Sequence, residues 1–407
     1  MDLGVLAGLA MACLAVAPSA DAPEPAPEPK TGWDAAGIPL VNFTTDRGMG
    51  YGLYAAVFHH GAKGAGPRPY QTSVGGQFYQ TTEGYAYHKL LVDMFDAFGT
   101  DMRLDVRAGY ESWDSAWYFG QGNQTPRLEL DETPDNFYES EVKSFWWITN
   151  VRVPLSGPFD LFAGVTLRSA EVGVFPGSRL DLERPTGHEG GRYHLATAGT
   201  IYDTRDAEPT PSRGVFSEVS LRAAHSWLGS EWGLWGANAT HRQWWSFDAE
   251  GDWVLALRLG LDGRFGGEAP FFHQHVLGGS QWVELGGNMA LRGLPFGRIR
   301  GPLSAYGQVE LRWSAARFLW GDRTFRLMLL TFADTARVFS SGDSDDLSHL
   351  RWSGGGGARL IYNEVFVVRF DVALGQEEYT AADDPLGTSV DRRDSVLGIY
   401  AMVGHPF

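Results

Sequence analysis

His273 and His275 are spaced to share one face of an extended segment, an arrangement that suits a metal ion. No third ligand accompanies them, so they read as loop histidines. His59 and His60 would point to opposite faces of a strand and make no natural pair. The run Gly354 to Gly357 has no following helix with a phosphate-binding lysine, so it is not a P-loop. Glycines in a strand instead admit packed material or a bend. No serine sits in a Gly-x-Ser-x-Gly elbow. Glu377 and Glu378 adjoin an outer loop and read as solvating it. Asp203, Arg205 and Asp206 have the types and spacing for a local charge network at a strand end. These residues predict a protein that is not an enzyme and holds no metal or cofactor.

The elements that must position such residues are strands. The 407 residues include 52 Gly, 15 Trp, 15 Tyr and 24 Phe. Glycine disfavours helices, and aromatics favour strands and membrane interfaces. A soluble all-β protein such as a propeller has a similar composition. The net charge of −16 excludes a general nucleic-acid binder, which needs basic surface to displace counterions. It also excludes a polybasic membrane-surface module.

Leu3 to Ala17 is an apolar run of signal-peptide length, too short to span a bilayer as a helix. Ala15-Val16-Ala17 and Ala20-Asp21-Ala22 are cleavage candidates, and a lipoprotein reading at Cys13, the sole cysteine, stays open. We assign residues 1–22 to a signal peptide and 23–37, with its alternating prolines, to an extended linker.

From 38 to 407 the sequence predicts a transmembrane antiparallel β-barrel of about sixteen strands. Trp253, Leu255, Leu257 and Leu259 alternate with Val254, Ala256, Arg258 and Gly260. Phe366, Val368, Phe370 and Val372 alternate with Val367, Arg369, Asp371 and Ala373. Val215 to Ala224 likewise collects Glu218 and Arg222 on one face. Charges on one face fit a polar lumen, and apolar residues on the other fit lipid. Tight turns such as Leu155 to Pro158 and Tyr362 to Glu364 contrast with long polar loops at Gly120–Asn136, Val174–Gly191 and Ser340–Ser348. The terminal strand ends on Phe407, like the carboxy-terminal assembly signal of outer-membrane barrels.

Three segments resemble the outer-membrane assembly-factor superfamily of BamA and TamA, also called the bacterial surface antigen family. Asp203-Thr204-Arg205-Asp206 with Pro211-Ser212-Arg213-Gly214 is similar to its "DTRD…P.RG" element. Leu277-Gly278-Gly279-Ser280 with Leu291-Arg292-Gly293-Leu294 is similar to its "LGG…RGY/F" loop, with Leu294 in place of the aromatic. Phe332-Ala333-Asp334-Thr335-Ala336 is similar to its "F.D.G" strand, with Ala336 in place of glycine. The resemblance implies that the Leu-Arg-Gly loop folds into the lumen. There Arg292 and Gly293 would be locked against Glu310 and Asp334, since a guanidinium fork suits carboxylates.

Relatives that handle proteins carry POTRA modules before the barrel, whereas the linker precedes it here. The resemblance therefore implies a stand-alone barrel in the outer membrane of a Gram-negative bacterium. Its partners would be outer-membrane lipid, the barrel-assembly machinery during biogenesis, and an envelope protein. Protein assembly, translocation or scaffolding is the leading reading. The alternative is a passive, porin-like solute channel, and a third reading is an outer-membrane lipase.

Overall fold

The computed structural model describes residues 31–61, 70–128, 135–208, 210–321, 323–340, 349–362, 366–380, 386 and 390–403. The signal peptide, linker residues 23–30, loop residues 341–348, Asn363, Glu364 and Phe407 lie outside the described residues.

Among the described residues sixteen strands form a closed antiparallel barrel, and a two-residue strand, Arg127–Leu128, adds to it in parallel at Tyr379 and Thr380. The sixteen are β1 (Trp33–Thr44), β2 (Gly48–His59), β3 (Thr72–Thr81), β4 (Tyr85–Met94), β5 (Arg103–Trp117), β6 (Glu139–Ser156), β7 (Phe159–Val174) and β8 (Gly190–Asp203). Then follow β9 (Gly214–Ala224), β10 (Leu234–Ser246), β11 (Trp253–Phe265), β12 (Leu303–Trp320), β13 (Arg323–Phe339), β14 (Arg351–Tyr362), β15 (Phe366–Thr380) and β16 (Arg392–Val403). Each pairs with its chain neighbours, and β1 meets β16 to close the ring. Every strand thus finds backbone partners on both sides, the condition for crossing hydrocarbon. No described helix is long and apolar enough to cross a membrane.

The expected alternation is present. Val219 and Leu221 stand on the outer face, while Phe216, Glu218, Ser220 and Arg222 of the alternate set are buried inside. In β11, Val254, Ala256, Arg258 and Asp262 point inward. In β15, Arg369, Asp371 and Ala373 do so, with Phe370 and Val372 outside. The cause is the two-residue period of Cβ direction, which puts alternate residues in different solvents.

Two expectations need correction. The barrel begins at Trp33, not at residue 38. Asp34 to Gly37 carry no apolar alternation, but the β2 ladder runs unbroken from Trp33↔His59 to Thr44↔Gly48. Backbone pairing there needs no side-chain pattern. Of the long polar loops at 120–136 and 174–191, several described residues are buried and not exposed. Phe119, Asn123, Thr125, Leu180 and Arg179 are all buried, packed over the same mouth of the barrel.

Candidate functional site

The segment 266–302, between β11 and β12, fills the lumen. It carries a short helix, α1 (Phe271–Gln274), and a hairpin made by Val276–Gly278 and Trp282–Glu284. Leu277, Leu285, Leu291, Leu294 and Ile299 have no exposed surface. They pack with Tyr306, Ala336 and Val338 of the inner wall. An apolar loop with an apolar patch of wall to receive it is driven inward by burial.

Polar contacts hang this plug on the wall at successive points. Arg264 of β11 donates to the carbonyls of Gln274, Val276 and Gly301 at 2.6–3.0 Å. Asp262 accepts from the Gly278 amide at 3.0 Å while pairing with Arg222. Glu218 accepts from the amide of Ser280 at 2.9 Å. A Cβ on Gly279 would lie 2.0 Å from a Glu218 carboxylate oxygen, so a larger residue there would push the Glu218 side chain aside.

The structure brings Arg292, Glu310 and Asp334 together. The Arg292 guanidinium bonds both Asp334 oxygens, at 2.9 and 2.8 Å, and Glu310 at 2.7 Å. Its backbone amide reaches Asp334 as well, at 3.1 Å. Asp371 stands 3.7 Å away, and the Phe332 ring lies 3.5 Å from the guanidinium carbon. All four charged groups are fully or almost fully buried. Burial would lower the Arg292 pKa, but Asp334, Glu310 and Asp371 outweigh it and raise the pKa instead. Arg312 shares Glu310 at 2.9 Å, and Arg359 pairs with Asp371 at 2.5 Å. Gly293 donates its amide to the Tyr400 hydroxyl of β16 at 3.0 Å.

The strand-end motif divides into two parts. Arg205 grips Asp203 through two nitrogens at 2.9 and 2.8 Å, and Arg152 joins them at 3.2 Å. Asp206 takes no part in that network; it accepts from the Ser212 amide at 3.0 Å. Arg213 donates to the carbonyls of Asp248 and Ala249 in the next turn, each at 2.9 Å. Gly214 opens β9 with φ +102°.

Glu377 and Glu378 do not solvate a loop. β15 runs on past them, and plug residue Arg298 meets Glu377 at 2.6 Å. Arg351 meets Glu378 at 2.7 Å. Arg298 also bonds Thr125 of the 118–138 loop, so it ties that loop, the plug and β15 together. Two basic residues at alternate positions in a buried loop, Arg298 and Arg300, were the available signal. His273 and His275 lie in the plug segment and are buried there, His273 tilted against Tyr193 of β8 at 4.9 Å between ring centroids and His275 edge-on to Phe296 at 5.1 Å. No cluster of three metal-type side chains occurs among the described residues.

Glu284 faces a cavity of about 40 Å³ shared with Glu111, Arg168, His275 and Arg300. Burial pushes its carboxyl from 4.5 up to about 7, with Arg47 pulling the other way. Burial also lifts Asp46, in the β1–β2 turn, to about 6. A raised carboxyl stabilises the folded form fully below its unfolded pKa and loses that effect as pH rises through its folded pKa. His273 and His275 act oppositely, because burial and nearby arginines hold both well below 6.5. Glu284→Gln, uncharged at every pH, isolates the first effect. Its thermal midpoint relative to the parent is expected to be more favourable at about pH 8 than at about pH 5. An equal difference at both would contradict the assignment.

The Omp85 superfamily domain is matched by residues 70–385. The fold is similar to that of BamA from Haemophilus ducreyi, solved without POTRA domains 1–3. That similarity has a TM-score of 0.58 at 14% identity, over 92% of this chain and 70% of the other. CdiB from Escherichia coli is similar with a TM-score of 0.52 at 12% identity, over 92% of this chain and 63% of the other. This chain thus spans only about two thirds of each neighbour's length. No curated protein sequence matches it.

Proposed function

The chain belongs to the Omp85 superfamily, and on that footing we propose that it handles an envelope protein at the wall of the barrel, by assembly, translocation or scaffolding. It sits as a barrel in the outer membrane, in this reading that of a Gram-negative bacterium. Short turns face the periplasm in such barrels and long loops face outward. That rule puts the plugged mouth outside and both ends of the described chain on the periplasmic side.

The observation that carries the reading is the seam. Among the described residues, β1 and β16 pair at Phe43↔Ala401 and Thr44↔Tyr400. On its other edge β1 pairs with β2 along its whole length. Strand edges in lipid are costly to leave open, so a seam paired at few described positions is where an incoming strand gains most by adding to the sheet. The packed plug leaves the wall, not the lumen, as the route. A steady solute current through such a lumen is not expected, and planar-bilayer recordings should show a mostly closed barrel.

Cysteines at Phe43 and Ala401 test the seam. Oxidative crosslinking is expected to reduce the levels of client envelope proteins, with recovery on reduction. Unchanged growth and unchanged envelope protein levels in the crosslinked state would overturn the reading.

A further inference from the structure

The loop 204–213 joins β8 to β9 at the mouth opposite the plug. Its base is held by ladder-like bonds, Thr204 amide to Val215 carbonyl and Asp206 amide to Arg213 carbonyl. Its tip does not lie along the rim. Glu208 pairs with Arg103 at 2.8 Å, and Arg103 is the first residue of β5. Thr210, two residues on, accepts from Arg326 of β13 at 2.9 Å. In a ring of sixteen strands, β5 and β13 are eight steps apart in either direction, so they stand on opposite walls. Sixteen tilted strands enclose a backbone diameter of about 30 Å. Glu208 and Thr210, two apart in the chain, reach both walls only if they stand over the opening and not along the rim.

Each tether is supported in turn. Arg103 is oriented by two bonds to Asp93, both at 2.9 Å, and Asp93 also accepts from Tyr70 at 2.8 Å. Thr210 and Arg326 are both buried. A second observation agrees. Phe162, Ile201, Phe216, Trp244, Val254 and Ala256 make an apolar cluster on the inner wall of β7 to β11, and each is at most 3% exposed. Apolar side chains facing a water-filled lumen would be wet; these are covered, with Arg205 lying 4.7 Å over the Phe216 ring.

We propose that the described residues 204–208 and 210–213 form a strap that bars the plug-free mouth, so that the lumen is closed from both sides. Opening it requires parting Glu208 from Arg103 or Thr210 from Arg326. The strap is independent of the seam, since it concerns entry into the lumen and not exit through the wall.

Cysteine labelling tests it. Cys13 is the sole cysteine and is replaced by serine. Gln77, half-buried on the inner wall of β3, becomes the reporter as Gln77→Cys. The full chain in detergent is treated with a sulfonated maleimide dye. Slow labelling is expected with the strap intact, and about tenfold faster labelling in Glu208→Gln/Thr210→Val, because a charge-assisted bond and a second tether are lost. Thr210→Ser, which keeps the hydroxyl, should label as slowly as the parent. Each single variant should give an intermediate rate and serves if the pair does not fold. The strap is refuted if folded variants with normal heat-dependent gel mobility label no faster. It is also refuted if the intact protein labels as fast as the denatured chain.

Discussion

Arg292→Glu is expected to abolish the heat-stable folded form of the barrel. The substitution places a carboxylate against Asp334 and Glu310, with Asp371 close behind, where no water reaches. Breaking a buried ion pair costs about 3–5 kcal/mol, because the charges left behind are neither solvated nor paired. Arg292→Ala is expected to fall in that range and Arg292→Glu beyond it. Arg292→Lys should rescue little. One ammonium cannot supply the two parallel bonds to Asp334 together with the one to Glu310. The measurement is the temperature at which folded gel mobility is lost. If Arg292→Glu inserts and keeps the parent's transition, Arg292 does not lock the plug.

Gly293→Ala is expected to be nearly as damaging for a different reason. Gly293 has φ +101°, a conformation that costs any other residue about 1–3 kcal/mol. Its Cβ would also lie 2.8 Å from the Gly375 nitrogen and 3.1 Å from the Leu374 carbonyl carbon. Both are backbone atoms of a paired strand and cannot step aside, so an overpacking cost of about 1–3 kcal/mol is added. Gly398 makes room from the other side: a Cβ there would lie 2.7 Å from the Gly293 Cα. Tyr400→Phe is the control. It removes the hydroxyl that accepts from the Gly293 amide without filling space, and should cost about 1 kcal/mol. A Gly293→Ala transition no lower than that of Tyr400→Phe would show that the loop does not need this close approach.

Much of the lumen was legible because family motifs and strand parity pointed the same way. Glu310 and Asp334 lie on inward positions of β12 and β13, and Arg292 follows a glycine-rich stretch that ends in the plug. Leu294, standing where the family has an aromatic, is fully buried in the plug core. Its neighbour across that contact is Gly375, where a Cβ would come within 2.9 Å of the Leu294 side chain. Other residues were misread for one reason. Glu377 and Glu378 look like loop acids until Arg298, 79 residues away in the chain, arrives from the plug. Asp206 looks like a partner of Arg205 until Ser212 takes its carboxylate.

What the sequence determined by itself was the barrel: strands with period-two alternation, charges inside, apolar and aromatic residues toward lipid. That information is local, because the direction of a Cβ depends on its own backbone and nothing farther away. Tertiary structure alone decided which charge meets which, how deep the loops descend, and that Glu208 and Thr210 reach opposite walls. Those outcomes depend on ring closure. Closure makes β5 and β13 face each other across a lumen and sets Thr125 against Arg298, 173 residues apart in the chain. A pairing energy exists only once both partners have left water for the same enclosed space, and no window of sequence contains that event.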